Sequence, residues 1–366
     1  MGHNHFARSA FSLLLIIVFL SQLACPSAGL RYFDRPLQSQ MASSVPTDNV
    51  SEPTPPSASS SGTETVSGGK VQDDQSSRGI AVYPKPATYD YRGSIGIDGL
   101  TREYQVHIPN SYDGTKAVPL VLVFHYYTGS SQTMADLSGF NAVSDSNGFI
   151  VVYPEGIDTA WHFNLSQDDR HIDDLGFVSS LIDKLVKELN ISQKMIYAAG
   201  FSDGAGMTHS LACRLSGRIA AAAMVATPFS QLMEDSYKPL QPVPVLIIQG
   251  TVDPICKFGG GAVGIQGVNI TTLPIRALVN YWIGYDGVSS TPKTIELPRI
   301  NDDTKVDIEE YAANSGTAEV VFYIVNGGGH TWPGGNPRLI GVGITSKTFS
   351  ASQVIWQFFY DHPMKQ

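Results

Sequence analysis

The chain has 366 residues, of which 42% are hydrophobic and 16% charged, and its formal net charge is −9. This is enough apolar material for the core of one large globular domain. The acidic balance leaves no general basic field that would gather a polyanion or an anionic membrane surface, so we expect no nucleic acid partner.

The start of the chain has the pattern of a secretory signal peptide. Residues 1–10 carry one arginine and two histidines, residues 11–20 form an unbroken apolar run, and small residues follow. The run is shorter than the about 20 apolar residues that a membrane-spanning helix needs. We predict a signal peptide over residues 1–29 and a secreted, extracellular protein. An uncleaved signal anchor is one alternative, and a lipoprotein attached through Cys25 is another.

The next segment, residues 30–82, is rich in serine, threonine, proline and glycine and contains few large apolar side chains. Such a segment cannot bury enough surface to offset the entropy lost on ordering, and this is typical of a disordered linker. We therefore predict that the folded catalytic domain spans residues 83–366.

Strand and helix patterns alternate through this domain. Apolar runs such as PLVLVF and PVLIIQG are nearly continuous, as in strands that are covered on both faces. We predict strands over residues 104–108, 120–124, 149–153, 194–199, 221–226, 244–249 and 319–325. We predict helices over residues 133–146, 175–189, 203–215, 273–285 and 351–360. The alternation favours the α/β class, with a mostly parallel, doubly wound sheet that carries helices on both faces.

The loops after the strands are where chemistry is expected, because ligands bind at the carboxyl ends of the strands in such sheets. The segment Gly200-Phe201-Ser202-Asp203-Gly204 directly follows one predicted strand and opens a predicted helix. This is the context of a nucleophile elbow, in which a tight turn pushes the serine out above the sheet. We predict that Ser202 is the nucleophile.

Two later loops supply the partners that such a serine needs. Asp253 lies in the turn after the strand PVLIIQG, where a carboxylate can orient an imidazole. His330 follows three glycines, which free the loop to bring the ring over the serine as general base and then general acid. The order Ser202, Asp253, His330 is that of the α/β-hydrolase fold, so the sequence predicts this fold and this triad.

An oxyanion hole of backbone N–H groups is also expected. The first donor is the N–H of Asp203, the residue after the nucleophile. The second lies in the loop after the strand LVLVF, and we predict that Tyr126 or Tyr127 provides it.

With these motifs the chain resembles the polyhydroxybutyrate depolymerase and feruloyl esterase group of α/β-hydrolases. The likeness covers most of residues 100–335 and is carried by the segments GFIVVYPEG, YAAGFSDGAGM, PVLIIQGTVDPICKFGGG and GGGHTWPGG, in this order. It implies an extracellular esterase with the triad named above and a substrate wall near Trp161 and Trp332. We add Phe201, inside the elbow, to this wall.

The chain departs from the pattern of that group at two positions. Tyr126 follows His125, where the group usually has a glycine that can take a positive φ. Asp203 stands where asparagine is usual, and a carboxylate beside a developing oxyanion would oppose it unless it points outward. Near the helix of residues 175–189, we interpret Asp173 and Asp174 as an N-cap and a first-turn acid.

We expect neither a metal nor a cofactor, since no cluster with metal-ligand spacing and no phosphate-binding loop occurs. Export would permit a disulfide between Cys213 and Cys256, although Cys213 fits a helix core position. Four Asn-x-Ser/Thr sequons permit glycosylation in a host that modifies exported proteins: Asn49, Asn164, Asn190 and Asn269.

The expected activity is hydrolysis of a carboxylic ester through an acyl-enzyme on Ser202. The expected substrates are polymeric or oligomeric, either feruloyl and acetyl esters of plant polysaccharide or polyhydroxyalkanoate. Two alternatives stay open: a catalytically silent domain that serves as an extracellular binding protein, and a serine oligopeptidase of the same fold.

Overall fold

The computed structural model of the chain describes Tyr83 and residues 90–163, 172–263, 270–313, 318–336 and 342–365. The predicted signal peptide and the whole of the predicted linker lie outside these residues. So do three of the four sequons, Asn49, Asn164 and Asn269.

Twelve strands form within the described residues. They are β1 (Asp90–Ile97), β2 (Leu100–His107), β3 (Val118–Phe124), β4 (Ile150–Pro154), β5 (Ile191–Phe201), β6 (Ala221–Val225), β7 (Val245–Gly250), β8 (Gly261–Ala262), β9 (Thr271–Thr272), β10 (Lys293–Glu296), β11 (Lys305–Tyr311) and β12 (Val320–Asn326). The same part of the chain forms the helices α1 (Ser131–Ser138), α2 (Phe140–Asn147), α3 (Asp174–Glu188), α4 (Asp203–Arg214), α5 (Gln231–Ser236), α6 (Ile275–Asp286) and α7 (Ala351–Asp361).

Ten of the strands form one sheet in the order β1-β2-β4-β3-β5-β6-β7-β12-β11-β10. The six central strands, from β4 to β12, are parallel to their neighbours, and the two strands at each edge are antiparallel. Helices α3, α4 and α6 bury side chains in the core on one face, and α1, α2 and α7 do so on the other. The predicted α/β-hydrolase fold is confirmed.

The predicted elements are found with two kinds of difference. The helix predicted over residues 133–146 is broken by Gly139, which takes φ 65° and ends α1 where α2 begins. The edge strands β1, β10 and β11 were not predicted, nor were the short elements α5, β8 and β9. The three edge strands carry charged side chains and contain exposed or only partly buried positions, so they lack the apolar runs of the central strands.

Two observations bear on export and membrane attachment. The sequon residue Asn190 is within the described part, where its side-chain amide donates to the carbonyl oxygen of Gly114 at 3.0 Å. Among the described residues, no helix has the length and apolar character needed to cross a membrane.

The junction between β5 and α4 has no intervening loop. Ser202 alone separates them, with φ 56° and ψ −118°. A Cβ on Gly200 would lie 2.0 Å from the carbonyl oxygen of Gly204, and one on Gly204 would lie 2.2 Å from that of Phe124. Both contacts are far inside van der Waals distance, so α4 packs on β5 and β3 only because these two residues have no side chain.

We expect Gly204→Ala to lower the free energy of unfolding by at least about 2 kcal/mol, because the methyl group meets backbone that cannot move alone. The matched control is Gly284→Ala, also within a helix but with nothing within 4 Å of the new Cβ. The control should raise the free energy of unfolding by about 0.5–1 kcal/mol through helix propensity. Urea denaturation of both variants measures the difference, and equal stabilities would contradict the close approach.

Candidate active site

Four loops meet at one edge of the sheet, because the strands that precede them are parallel and end together. They follow β3, β5, β7 and β12, and they carry residues 125–129, Ser202, Asp253 and His330. The predicted nucleophile, carboxylate and imidazole are therefore brought to the same edge from loops far apart in sequence.

The contact between Asp253 and His330 is the central one. His330 Nδ1 lies 2.8 Å from Asp253 Oδ2, and both side chains are buried. The side-chain amide of Gln249 donates to the same Oδ2 at 3.0 Å, and the backbone N–H groups of Ile255 and Cys256 donate to Oδ1, each at 2.8 Å. These donors fix the plane of the carboxyl group and direct Oδ2 at the imidazole.

The His330 loop is fixed by close backbone contacts. The sequence suggested that its glycines make the loop mobile, but Gly329 instead allows one of these close contacts. The His330 N–H donates to the carbonyl oxygen of Val342 at 2.8 Å. A Cβ on Gly329 would lie 2.1 Å from that same oxygen. The imidazole packs against the ring of Phe201, with 4.9 Å between centroids. The ring is therefore fixed from its backbone, from Asp253 and from the elbow.

Ser202 faces an apolar cavity of about 180 Å³. The apolar residues that line this acyl pocket, as we call it, are Tyr127, Trp161, Pro228, Ile255, Val263 and Ile270. Cys256 also lines the pocket. Burial raises the pKa of the Cys256 thiol, and the charges of Asp253 and Asp203 raise it further, so the thiol stays protonated and is a poor nucleophile.

The two cysteines of the domain are free and both are buried. Cys213 lies on α4, where its sulfur is 3.5 Å from the hydroxyl of Tyr281, in agreement with the core position expected for it. The disulfide that export would permit is not formed.

The two tyrosines of the predicted oxyanion loop have different surroundings. Tyr127 is 37% exposed and its side chain lines the acyl pocket, whereas Tyr126 is buried against Phe201 with 5.9 Å between ring centroids. The residue of this loop with positive φ is Thr128, at 66°, and not Tyr126. The side chain that follows His125 therefore needs no glycine conformation.

A buried histidine ties this loop to the pocket wall. His125 Nε2 accepts the N–H of Gly156 at 2.9 Å, and Nδ1 lies 2.8 Å from the carbonyl oxygen of Tyr126, so the ring is neutral with its proton on Nδ1. Burial lowers the pKa of His125, in keeping with that form. The indole N–H of Trp161 donates to the carbonyl oxygen of His125 at 2.9 Å.

The three residues predicted for the substrate wall have different places. Trp161 lines the pocket. Trp332 is only 1% exposed and packs in the core, with its indole N–H donated to Ser352 Oγ at 3.1 Å. Phe201 is fully buried between Tyr126 and His330, because neighbouring residues of a strand point to opposite faces of the sheet. The structure thus places Trp332 and Phe201 behind the site, outside the pocket wall.

Sequence reasoning missed a set of carboxylate contacts beside the pocket. Asp173 is the N-cap of α3, as expected, and accepts the N–H of Gly176 at 2.8 Å. Asp174 does more than begin the helix: it forms a buried ion pair with Arg102 and accepts the N–H of His162 at 2.5 Å. The strand was predicted to begin at residue 104, whereas β2 begins at Leu100 and buries Arg102, so the sequence contained no signal for this ion pair.

The known proteins with a similar sequence or structure include several esterases. Residues 103–257 match the family model described as esterase PHB depolymerase. Feruloyl esterase B from Piromyces equi is 30% identical over 63% of this chain, and the match spans 42% of that protein. The putative esterase NocK from Nocardia uniformis subsp. tsuyamanensis is 29% identical over 72% of this chain and 80% of its own length. Among solved structures, an acetyl xylan esterase from Aspergillus awamori has a TM-score of 0.48 at 18% identity and covers 66% of this chain and 94% of its own.

We expect Asp174→Ala to lower the free energy of unfolding by about 3–5 kcal/mol, because it leaves the guanidinium of Arg102 buried without its counter-ion. The matched control is Asp183→Ala on the same helix, which removes an exposed ion pair with Arg218 and should change stability by less than about 1 kcal/mol. Chemical denaturation measures both. A loss of similar size in the two variants would contradict the distinction between the pairs.

Proposed function

Since the chain belongs to the polyhydroxybutyrate depolymerase and feruloyl esterase-like family of α/β-hydrolases, we propose that it is a secreted serine hydrolase of carboxylic esters. Ser202, Asp253 and His330 form its triad. The observation that carries the proposal is the elbow serine at φ 56°, facing an apolar cavity at the edge of the sheet where His330 is paired with Asp253.

The reaction is acyl transfer in two halves. Ser202 Oγ attacks the ester carbonyl carbon and His330 Nε2 takes the hydroxyl proton, while Asp253 stabilises the imidazolium through Nδ1. The backbone N–H groups of Asp203 and of Tyr126 or Tyr127 stabilise the tetrahedral oxyanion. The intermediate then collapses, the alcohol leaves with the proton from His330, and an acyl-enzyme on Ser202 remains. Water repeats the attack with the same base and releases the carboxylic acid.

The acyl pocket supports an aromatic or short acyl group. Tyr127 and Trp161 offer ring surfaces beside Ser202. Aliphatic surface comes from Ala160, Pro228, Ile255, Val263 and Ile270, and the polar lining residues are His162, Asp203 and Cys256. Among the expected substrates we place feruloyl esters of plant polysaccharide first, with acetyl esters and polyhydroxyalkanoate after them. Export through the predicted signal peptide would bring the enzyme to such polymers.

We expect Ser202→Ala to lower kcat for p-nitrophenyl acetate and butyrate by at least about 10³-fold, because the nucleophile is lost while binding and the oxyanion donors remain. The matched control is Ser146→Ala, an exposed helical serine on α2, which should keep full activity. Labelling by a fluorophosphonate probe should disappear with the same variant. Absence of both Ser202-dependent turnover and labelling in the natural protein would leave the silent binding domain as the better account.

We expect Tyr127→Ala to raise KM for methyl ferulate by about ten-fold, since it removes an aromatic surface from the acyl pocket. The change for acetylated xylan should be smaller, because an acetyl group is too short to use that surface fully. The backbone N–H is retained, so kcat should change little. Tyr360→Ala, which removes an exposed tyrosine on α7, is the control. A hydroxybutyrate oligomer is the third substrate to be measured. Turnover of that oligomer, with no turnover of methyl ferulate or acetylated xylan, would contradict the preference for feruloyl esters.

A further inference from the structure

The side chain of Asp203 lines the acyl pocket beside Ser202 and holds the wall of that pocket. Asp203 Oδ2 accepts the backbone N–H of Trp161 at 2.9 Å. The next N–H along the wall, that of His162, is held by Asp174 at 2.5 Å. Two carboxylates on the first residues of α3 and α4 thus hold consecutive amides, and Trp161 presents its ring to the pocket from this fixed backbone.

The surroundings make Asp203 a carboxyl group with two accessible charge states. Burial raises its pKa to about 7, against the lowering effect of the Trp161 N–H; the charge of Asp174 raises the pKa further and His162 lowers it. The protonated thiol of Cys256 also lies near Asp203, while Arg102 is engaged with Asp174.

We propose, on the basis of the function proposed above, that Asp203 is a positioning residue that fixes the acyl pocket through Trp161 and places a negative charge beside the oxyanion that its own N–H helps to hold. The first effect favours substrate binding. The second opposes the charge that develops in the transition state, because the carboxylate and the oxyanion carry the same sign.

The two effects predict opposite consequences of protonation. Above neutral pH the ionised carboxylate accepts a stronger, charge-assisted hydrogen bond from Trp161 and repels the oxyanion. Below neutral pH the carboxyl group of Asp203 is neutral. It is then a weaker hydrogen-bond acceptor and does not repel the oxyanion. Asparagine at this position keeps an acceptor oxygen but never carries charge, so it separates positioning from electrostatics.

The experiment compares Asp203→Asn, Asp203→Ala and the natural protein between pH 5.5 and 8.5, with kcat and KM measured for methyl ferulate. The kcat of Asp203→Asn relative to the natural protein should be near one at pH 5.5 and rise to about ten at pH 8.5. Its KM should stay within about two-fold. Asp203→Ala should raise KM by about ten-fold, because the Trp161 N–H loses its acceptor.

The matched control is Asp173→Asn, which removes a carboxylate charge at the start of α3, outside the pocket. The ratio of its kcat to that of the natural protein should be independent of pH.

A second measurement does not depend on turnover. The chain has four tryptophans, so labelling with ¹⁵N-tryptophan gives four backbone amide signals, and Trp161→Phe identifies that of residue 161. This signal should titrate near neutral pH in the natural protein and stay constant in Asp203→Asn.

A ratio of kcat between Asp203→Asn and the natural protein that does not change with pH would overturn the electrostatic half of the proposal. An unchanged KM in Asp203→Ala would overturn the positioning half, and so would a Trp161 amide signal that does not shift with pH. Loss of the proposed function has a different signature, namely no Ser202-dependent turnover in the natural protein, and the Trp161 signal still decides the role of Asp203 in that case.

Discussion

The backbone of Ser202 is held in a left-handed conformation that non-glycine residues rarely adopt, and the arrangement of the site depends on it. Such a conformation costs about 1–3 kcal/mol and persists only when its surroundings impose it. Here the Ser202 N–H donates to the carbonyl oxygen of Val225 at 2.9 Å, and its own carbonyl accepts the N–H groups of Ala205 and Gly206. The sheet and α4 together hold the serine between them.

The close approach at the elbow has a second effect on the neighbouring loop. Because Gly204 allows α4 to lie against the carbonyl groups of Phe124 and His125, the end of β3 is brought beside Ser202. The loop that begins there is in turn joined to the pocket wall through the indole of Trp161 and through the Thr128 N–H, which donates to the carbonyl oxygen of Thr159 at 2.9 Å. The elbow, the oxyanion loop and the wall therefore form one hydrogen-bonded unit.

The sequence could predict the central strands and the triad for a physical reason. Strands such as β3 and β7 are buried on both faces and read as continuous apolar runs, and a serine, an aspartate and a histidine directly after such strands stand out. The pocket wall offers no such signal. Pro228, Val263 and Ile270 are ordinary apolar residues that meet only because their loops fold over the same edge.

The expectations about Trp332 and Phe201 came from the family resemblance and from the position of Phe201 in the elbow, and neither source indicates the direction of a side chain. Adjacent side chains of a strand point to opposite faces of the sheet. Phe201 therefore lies below the edge that Ser202 faces, and Trp332 joins it in the core, with 6.2 Å between ring centroids. The ring of Phe201 packs against the imidazole of His330 on the core side. The aromatic surface of the pocket comes from Tyr127 and Trp161.

Three carboxyl groups surround this site, and the chain accommodates each burial differently. Asp174 has the guanidinium of Arg102, and Asp253 has an imidazole, an amide and two backbone donors. Asp203 relies on the amide of Trp161, and burial raises its pKa to about 7. A buried carboxylate is stable only to the extent that donors replace its water. The first two carboxylates have several donors in place of water, whereas the third, next to the nucleophile, has the single amide of Trp161 and a raised pKa.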